Sequence, residues 1–273
     1  MAEQGSGTVF DVEAVIEDHR EAAPGGRLMV LTAPEIARSA LPGQFVMIRA
    51  HRDLDPLLRR PFSICGTAPG GRILILYQVV GRGTAILAQK GPGDTLQVMG
   101  PLGRGFTAVP GVGAFILVAG GMGIAPLLFL ARRLVERGEG ARIRFLAGFR
   151  GERDFPSPDF LPDTGIPMEI ATEDGSVGRH GPVTDLLEHV LAEVAEGSIF
   201  ACGPRAMLKR VAELSAAAGL ACRVSLESVM ACGLGACLGC AVPVNPGPGR
   251  GGYLYVCKDG PVFEAGDLDW ARL

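Results

Sequence analysis

The sequence predicts a β plus α/β protein: an N-terminal antiparallel β-barrel, a C-terminal parallel α/β domain and a small cysteine-rich appendage. Three observations carry this reading. Over the first ~110 residues, short β-type runs alternate with Pro/Gly turns at the spacing of a small barrel. From Ala114 onward, buried strands alternate with helices, the signature of a parallel sheet with helical crossovers. After Cys222 the chain turns Cys- and Gly-rich and is too short for an apolar core of its own, so something other than burial must hold it together. The expected domains are 1–110, 111–222 and 223–273.

In the barrel, Arg27–Thr32, Gln44–Ala50 and Ile73–Val80 read as strands, separated by Pro24-Gly25-Gly26, Leu41-Pro42-Gly43 and Pro69-Gly70-Gly71. Arg59–Ile64 reads as the end of another strand. A short helix fits Thr84–Gln89, ahead of Gly91-Pro92-Gly93. In the second domain, Ala114–Ala119, Arg142–Gly148, Met168–Ala171 and Ser198–Cys202 read as strands. Ala125–Arg137, Val183–Ala195 and Arg205–Ala218 read as helices, and Pro156–Pro167 as a loop. Val109–Ala131 carries no charge and is long enough for a membrane span. Gly111, Gly113, Gly120, Gly121, Gly123 and Pro126 interrupt it, so a buried strand, a glycine turn and an apolar helix explain it better, and no membrane span is expected.

An apolar fraction of 48% supports more than one buried core and excludes disorder. The net charge of −3 and the lack of basic runs with interleaved aromatics argue against nucleic-acid binding. Met1–Phe10 lacks the pattern of a secretory signal, so a cytoplasmic protein is expected. In that compartment seven cysteines read as metal or redox ligands before disulfides. The histidines His19, His51, His180 and His189 are scattered, and no Ser/His/Asp arrangement or other catalytic group is evident.

Cys232-x4-Cys237-x2-Cys240, followed by Cys257, has the plant-type spacing for a [2Fe–2S] cluster, although the fourth cysteine follows sooner than in plant ferredoxins. Gly233, Gly235 and Gly239 permit the turns that aim three thiolates at one small core and let backbone N–H groups approach the sulfurs. Structural zinc is the rival, but it favours well-separated Cys pairs. Cys65 and Cys222 read as ordinary buried thiols.

Gly120-Gly121-Met122-Gly123-Ile124-Ala125-Pro126 lies between a strand and a helix, where glycines and a helix N-terminus accommodate a pyrophosphate. Phe200-Ala201-Cys202-Gly203-Pro204 forms a second such junction, and the two would face one crevice at the carboxyl ends of parallel strands. In the N-terminal half, Arg60-Pro61-Phe62-Ser63 offers an arginine for a phosphate, an aromatic for a flat ring and a hydroxyl for its edge. With Tyr77-Gln78 and Gly81-Arg82-Gly83-Thr84 downstream, it reads as a dinucleotide site.

Together these motifs resemble the ferredoxin reductase superfamily, in which a flavin barrel precedes a nicotinamide domain. Arg60-Pro61-Phe62-Ser63 matches its flavin motif, and the glycine and Cys-Gly-Pro turns match its nicotinamide motifs. Over nearly its whole length the chain resembles the electron-transfer subunits of class 1B dihydroorotate dehydrogenases. The particular points are Leu58-Arg59-Arg60-Pro61, Thr172–Ser176, Glu227 ahead of Met230-Ala231-Cys232-Gly233, and Lys258–Phe263. The resemblance implies FAD on Arg60, Pro61, Phe62, Ser63, Leu76, Tyr77, Gln78, Gly83 and Thr84. It implies a nicotinamide at Gly120, Gly121, Gly123, Ala125, Pro126, Cys202, Gly203 and Pro204, and a [2Fe–2S] cluster on Cys232, Cys237, Cys240 and Cys257. It further implies an FMN-containing catalytic partner in a heterotetramer, with electrons passing from FMN through the cluster and FAD to NAD⁺ in pyrimidine biosynthesis. NADP-preferring members of the superfamily commonly place Ser-Arg after the third strand of this domain. Here Thr172-Glu173-Asp174 stands there, so Glu173 is expected to select NAD; Arg150 and Arg153 are the opposing charges. Related subunits of NAD(P)H-linked hydrogenases and ferredoxin–NADP oxidoreductases share these modules.

Overall fold

In the computed structural model, residues 8–51, 55–107, 113–156, 161, 163–246 and 252–273 are described. Six antiparallel strands close the barrel: β1 (Phe10–Ala23), β2 (Gly26–Thr32), β3 (Phe45–Arg49), β4 (Arg60–Ala68), β5 (Arg72–Gln78) and β6 (Thr95–Leu102), in the order β1-β2-β5-β4-β3-β6. Helices α1 (Pro34–Ser39) and α2 (Arg82–Ala88) connect them. The period-two alternation of a strand sorts its side chains. In β3, Val46 and Ile48 point into the barrel with Phe62, Ile64 and Val98. Phe45 and Met47 point outward into a different core. Arg60–Ser63 begin β4 rather than ending a strand. Pro61, which has no N–H to donate, suits a strand start.

The second unit comprises β7 (Ala114–Gly120), α3 (Ile124–Glu136), β8 (Ile143–Phe149), β9 (Met168–Thr172), β10 (Arg179–His180), α4 (Val183–Glu193), β11 (Gly197–Cys202), α5 (Arg205–Ala217) and β12 (Ala221–Ser225). Its sheet runs β10-β9-β8-β7-β11-β12, parallel throughout. Leu117, Phe145 and Phe200 meet α3 on one face; Ile116, Val118, Leu146 and Ile199 meet α4 and α5 on the other. Burial on both faces explains why these strands read as continuous apolar runs. The uncharged stretch resolves from Ala114 on into β7, a tight turn and α3. Among the described residues no helix is long and apolar enough to cross a membrane. The expected 110/111 boundary lies outside the described residues, as do 157–160 and 162 of the proline-rich loop.

The cysteine-rich segment departs from expectation. It contributes β13 (Ala241–Pro243), β14 (Tyr253–Tyr255) and β15 (Val262–Glu264), and β15 pairs antiparallel with β12 as a seventh strand of the large sheet. Val242, Val244, Val256 and Leu268 share a core with Val224, Leu226 and Met230. Apolar burial against its neighbours therefore holds this segment in place. Asn245 adds a tether, its Nδ2 donating to Gly266 O at 3.0 Å and Leu268 O at 3.1 Å.

Candidate cofactor sites

Strands β7 and β11 are parallel neighbours, with Ala119 opposite Cys202, so both glycine turns leave the carboxyl edge side by side. They open on a cleft of about 670 Å³ lined by Gly120, Gly121, Glu173, Pro204 and, from the barrel, Gln78. The glycines do different jobs. Gly121 has φ +52° and nothing within 4 Å of where a Cβ would stand, so it leaves room for a ligand. At Gly123 a Cβ would lie 2.1 Å from the Cys202 carbonyl oxygen, so this glycine lets the turn pack on the end of β11. Gly203, at φ +158°, touches Gly120 in the same way. Gly123, Ala125 and Pro126 are buried at the start of α3, behind Gly120 and Gly121, which line the cleft.

The loop after β9 is fastened to the loop after β8. Glu173 N–H donates to Phe149 O at 3.0 Å and Asp174 N–H to Arg150 O at 3.1 Å. Ser176 donates to Asp174 through its hydroxyl and its N–H, which holds that carboxyl below the usual carboxylate range. Glu173 is thereby presented to the cleft. Arg150 lines the same cleft but pairs with Asp154 at 3.1 Å, and Arg153 is not among the lining residues. Cys202 is buried behind the turns. Burial pushes its thiol up to about 12, with the Glu227 charge adding to the effect. Glu227 keeps an exposed face, yet the protein around it raises its carboxyl above the ordinary range. Its proximity to Cys202 comes from tertiary folding, and no local motif announced it.

On the barrel, Arg60 lies against Gly83, its Nε 3.0 Å from where a Cβ there would be. Thr84 Oγ1 accepts from Val80 N–H and Gly81 N–H at 3.0 Å and donates to Gly81 O at 2.9 Å. Its hydroxyl thereby shapes the loop that faces Arg60. Phe62 corrects another expectation. It is a barrel-core ring, meeting Tyr77 edge-on at 5.3 Å, and so offers no free platform for a flat ring. Tyr77 is equally internal, hydrogen-bonded to His19 Nε2 at 3.0 Å, with its hydroxyl pushed up to about 12 by burial. Leu76 is buried on the opposite face of β5. The register Phe45↔Ser63 and Met47↔Pro61 puts Pro61 and Ser63 on the outward face with Phe45 and Met47.

The four cysteines gather at one loop and hairpin. Cys232 Sγ accepts from Leu234 N–H and Cys237 N–H, each at 3.4 Å; Cys257 Sγ accepts from Gly235 N–H at 3.1 Å. Burial alone would raise Cys232, but the N–H groups of Cys237, Leu234 and Ala236 outweigh it and bring this thiol down to about 6. Cys240 and Cys257 stand 3.2 Å apart, sulfur to sulfur, and burial pushes Cys257 up to about 12. Two thiolates at that separation need positive charge beside them. The sulfurs thus form two pairs, Cys232 with Cys237 and Cys240 with Cys257. Among the described residues no three His, Cys, Asp or Glu side chains converge on a single-ion position. Two pairs suit a two-iron core better than one zinc ion. Gly233 (φ +73°), Gly235 (φ +78°) and Leu238 (φ 59°) make the left-handed turns of this loop. Cys65 and Cys222 are buried thiols in the core.

The family described as the iron–sulfur cluster binding domain of dihydroorotate dehydrogenase B matches residues 227–269. The chain is 40% identical over 250 residues to the dihydroorotate dehydrogenase B (NAD(+)) electron transfer subunit of Desulforamulus reducens, covering 91% of this chain and 94% of that one. It is 39% identical over 264 residues to the subunit of the same name from Bacillus caldolyticus, covering 96% of each. Among solved structures, a chain of the NADH-dependent reduced ferredoxin-NADP oxidoreductase superposes with a TM-score of 0.83 at 30% identity, over 98% of this chain and 93% of that one. Phthalate dioxygenase reductase shares the fold at a TM-score of 0.56 and 23% identity, over 76% of this chain and 64% of that one. The chain belongs to the family of electron transfer subunits of dihydroorotate dehydrogenase B, and is an oxidoreductase subunit.

Proposed function

We propose that this chain relays electrons from the FMN of a dihydroorotate-oxidising partner to NAD⁺, through a [2Fe–2S] cluster and FAD, in a cytoplasmic heterotetramer with paired copies of each chain. The observation that carries it is the two-pair arrangement of Cys232, Cys237, Cys240 and Cys257, on a loop packed against the barrel strand next to the Arg60–Ser63 motif. Bound between cluster and nicotinamide, a flavin supplies the exchange of hydride for single electrons. The protein's part is to bind and orient. Backbone N–H groups of Leu234, Gly235 and Cys237 stabilise thiolate charge on the cluster ligands. Arg60, over Gly83, would pair with the flavin pyrophosphate, and Pro61 and Ser63, on the outward face of β4, would contact the flat ring. Gly121 leaves space for the nicotinamide phosphates, and Glu173 accepts hydrogen bonds from a ribose that carries no phosphate. Cys202, its thiol held neutral by burial, keeps the wall behind the turns uncharged.

The exposed side chains Val229, Leu234 and Leu238, on the same loop as the exposed Cys237, support docking of the catalytic partner there. The proposed domain assignment is a flavin barrel over 1–110, a nicotinamide domain from 111 and a cluster segment toward 273; the expected 222/223 boundary moves past β12 (Ala221–Ser225), because that whole strand pairs with β11. The test is reconstitution. Dihydroorotate-dependent NAD⁺ reduction is expected only when both chains are present, and the partner alone sustaining it would refute the relay. A second reading, service to a ferredoxin–NADP-type oxidoreductase, is favoured by the 30% identity to that structure over nearly the whole chain. Co-purification with a dihydroorotate dehydrogenase or with a different partner separates the two.

A further inference from the structure

We infer that Met47 is the positioning residue through which the cluster loop and the flavin strand are coupled for electron transfer; the inference rests on the cofactor placement proposed above. Met47 is 0% exposed and faces out of the barrel, in one core with Met99, Leu102, Cys240 and Cys257. On one side it meets the loop between Cys232 and Leu234. A Cβ on Gly233 would lie 2.7 Å from Met47 Cγ and 3.2 Å from its Sδ, with Leu102 Cδ1 next at 3.5 Å. On its other side the β3–β4 register sets it opposite Pro61. Directly opposed residues on one face have Cβ atoms about 4.5–5.5 Å apart. One thioether side chain thus spans the distance between a ligand-bearing loop and the strand that carries the flavin motif.

The contact is tight because Gly233 has no side chain. Methionine fits an irregular gap of this kind, being flexible and polarizable. The step concerned is oxidation of the reduced flavin by one electron with reduction of the oxidised cluster by the same electron. NADH supplies the electron pair as hydride; one electron passes to the cluster, the second stays on the flavin, and one flavin proton leaves to solvent. An electron tunnels more readily through packed atoms than across a void, and removing the Met47 side chain leaves lining atoms without partners. Flavin reduction by NADH would proceed from the cleft at Gly121 and Glu173, whose lining does not include Met47.

The experiment uses the full chain with both cofactors, as wild type, Met47→Leu and Met47→Ala, mixed anaerobically with NADH. Flavin bleaching is followed optically and the reduced cluster by freeze-quench electron paramagnetic resonance. All three proteins are expected to bleach at one rate, with cluster reduction several-fold slower in Met47→Ala and near wild type in the volume-conserving Met47→Leu. Iron retention under chelator gives a readout independent of turnover: Gly233→Ala, strained at φ +73° and in collision with Met47, should shed iron, and adding Met47→Ala should restore the part due to the collision. Unchanged cluster reduction in Met47→Ala, or equal slowing of flavin bleaching, would overturn the inference. If Met47→Ala itself sheds iron, Met47→Val carries the same comparison. A wild-type chain that holds iron but no FAD, or FAD but no iron, would instead refute the cofactor placement on which the inference stands.

Discussion

Gly123→Ala separates a glycine needed for packing from one needed for a ligand. The added methyl would stand 2.1 Å from Cys202 O, 2.4 Å from Cys202 C and 2.8 Å from Gly203 N. All three are backbone atoms, so no side chain can swing aside and the β7 turn must separate from the end of β11. Overpacking of this kind costs about 1–3 kcal/mol. For a chain of this size, that corresponds to a midpoint lowered by roughly 2–12 °C. Gly121→Ala is the control. Its methyl meets nothing within 4 Å, and its φ of +52° adds backbone strain of roughly 1–2 kcal/mol. The methyl would protrude into the cleft, so the KM for NADH should rise beyond what the lost stability explains. Thermal unfolding by circular dichroism and NADH diaphorase kinetics measure the two effects. A wild-type midpoint for Gly123→Ala, or an unchanged KM for Gly121→Ala, would refute this division of labour.

Four further outcomes are expected. Cys237→Ser should lose most of its iron and weaken partner assembly; iron and sulfide near wild type would contradict the ligand assignment. Arg60→Ala removes a charge-assisted contact worth about 1.5–3 kcal/mol, so FAD should bind roughly ten- to a hundredfold more weakly while the fold persists. Retention of stoichiometric FAD through extended dialysis would count against it. NADH should give a higher kcat/KM than NADPH, and Glu173→Arg should narrow the gap; equal use of both by the wild type would remove Glu173 as the selector. Finally, Glu227 has a carboxyl raised above its unfolded value by the surrounding protein. Its contribution is therefore fully present at acid pH and lost as pH rises through the folded pKa. Glu227→Gln should stabilise the chain modestly at neutral pH and not below the carboxylate range, as read from unfolding midpoints across pH; the opposite trend would disprove the burial effect.

Local features were legible before the fold was. The β7–turn–α3 unit and β11 could be read because their strands are buried on both faces and their turns announce themselves with glycine. The cysteine quartet was legible from spacing alone. What escaped depends on contacts distant in sequence. β1 was not anticipated, because exposed Val15 interrupts the alternation of Val12, Ala14 and Ile16 with Asp11, Glu13 and Glu17. The edge strand β15 is only three residues long and acquires meaning by pairing with β12. Phe62 and Ser63 are adjacent in a motif, yet the strand's alternation sends Phe62 into the barrel and Ser63 outward, a distinction that composition does not carry. The approach of Glu227 to Cys202 and of Gly233 to Met47 has no local trace either.

The most direct test of the relay is an anaerobic titration of the full chain with NADH, following flavin absorbance together with the electron paramagnetic resonance of the cluster. Flavin bleaching accompanied by a reduced [2Fe–2S] signal, in a protein with equimolar iron and sulfide, is the predicted result. A colourless zinc protein, or a flavin that bleaches while the cluster stays oxidised, would contradict the account.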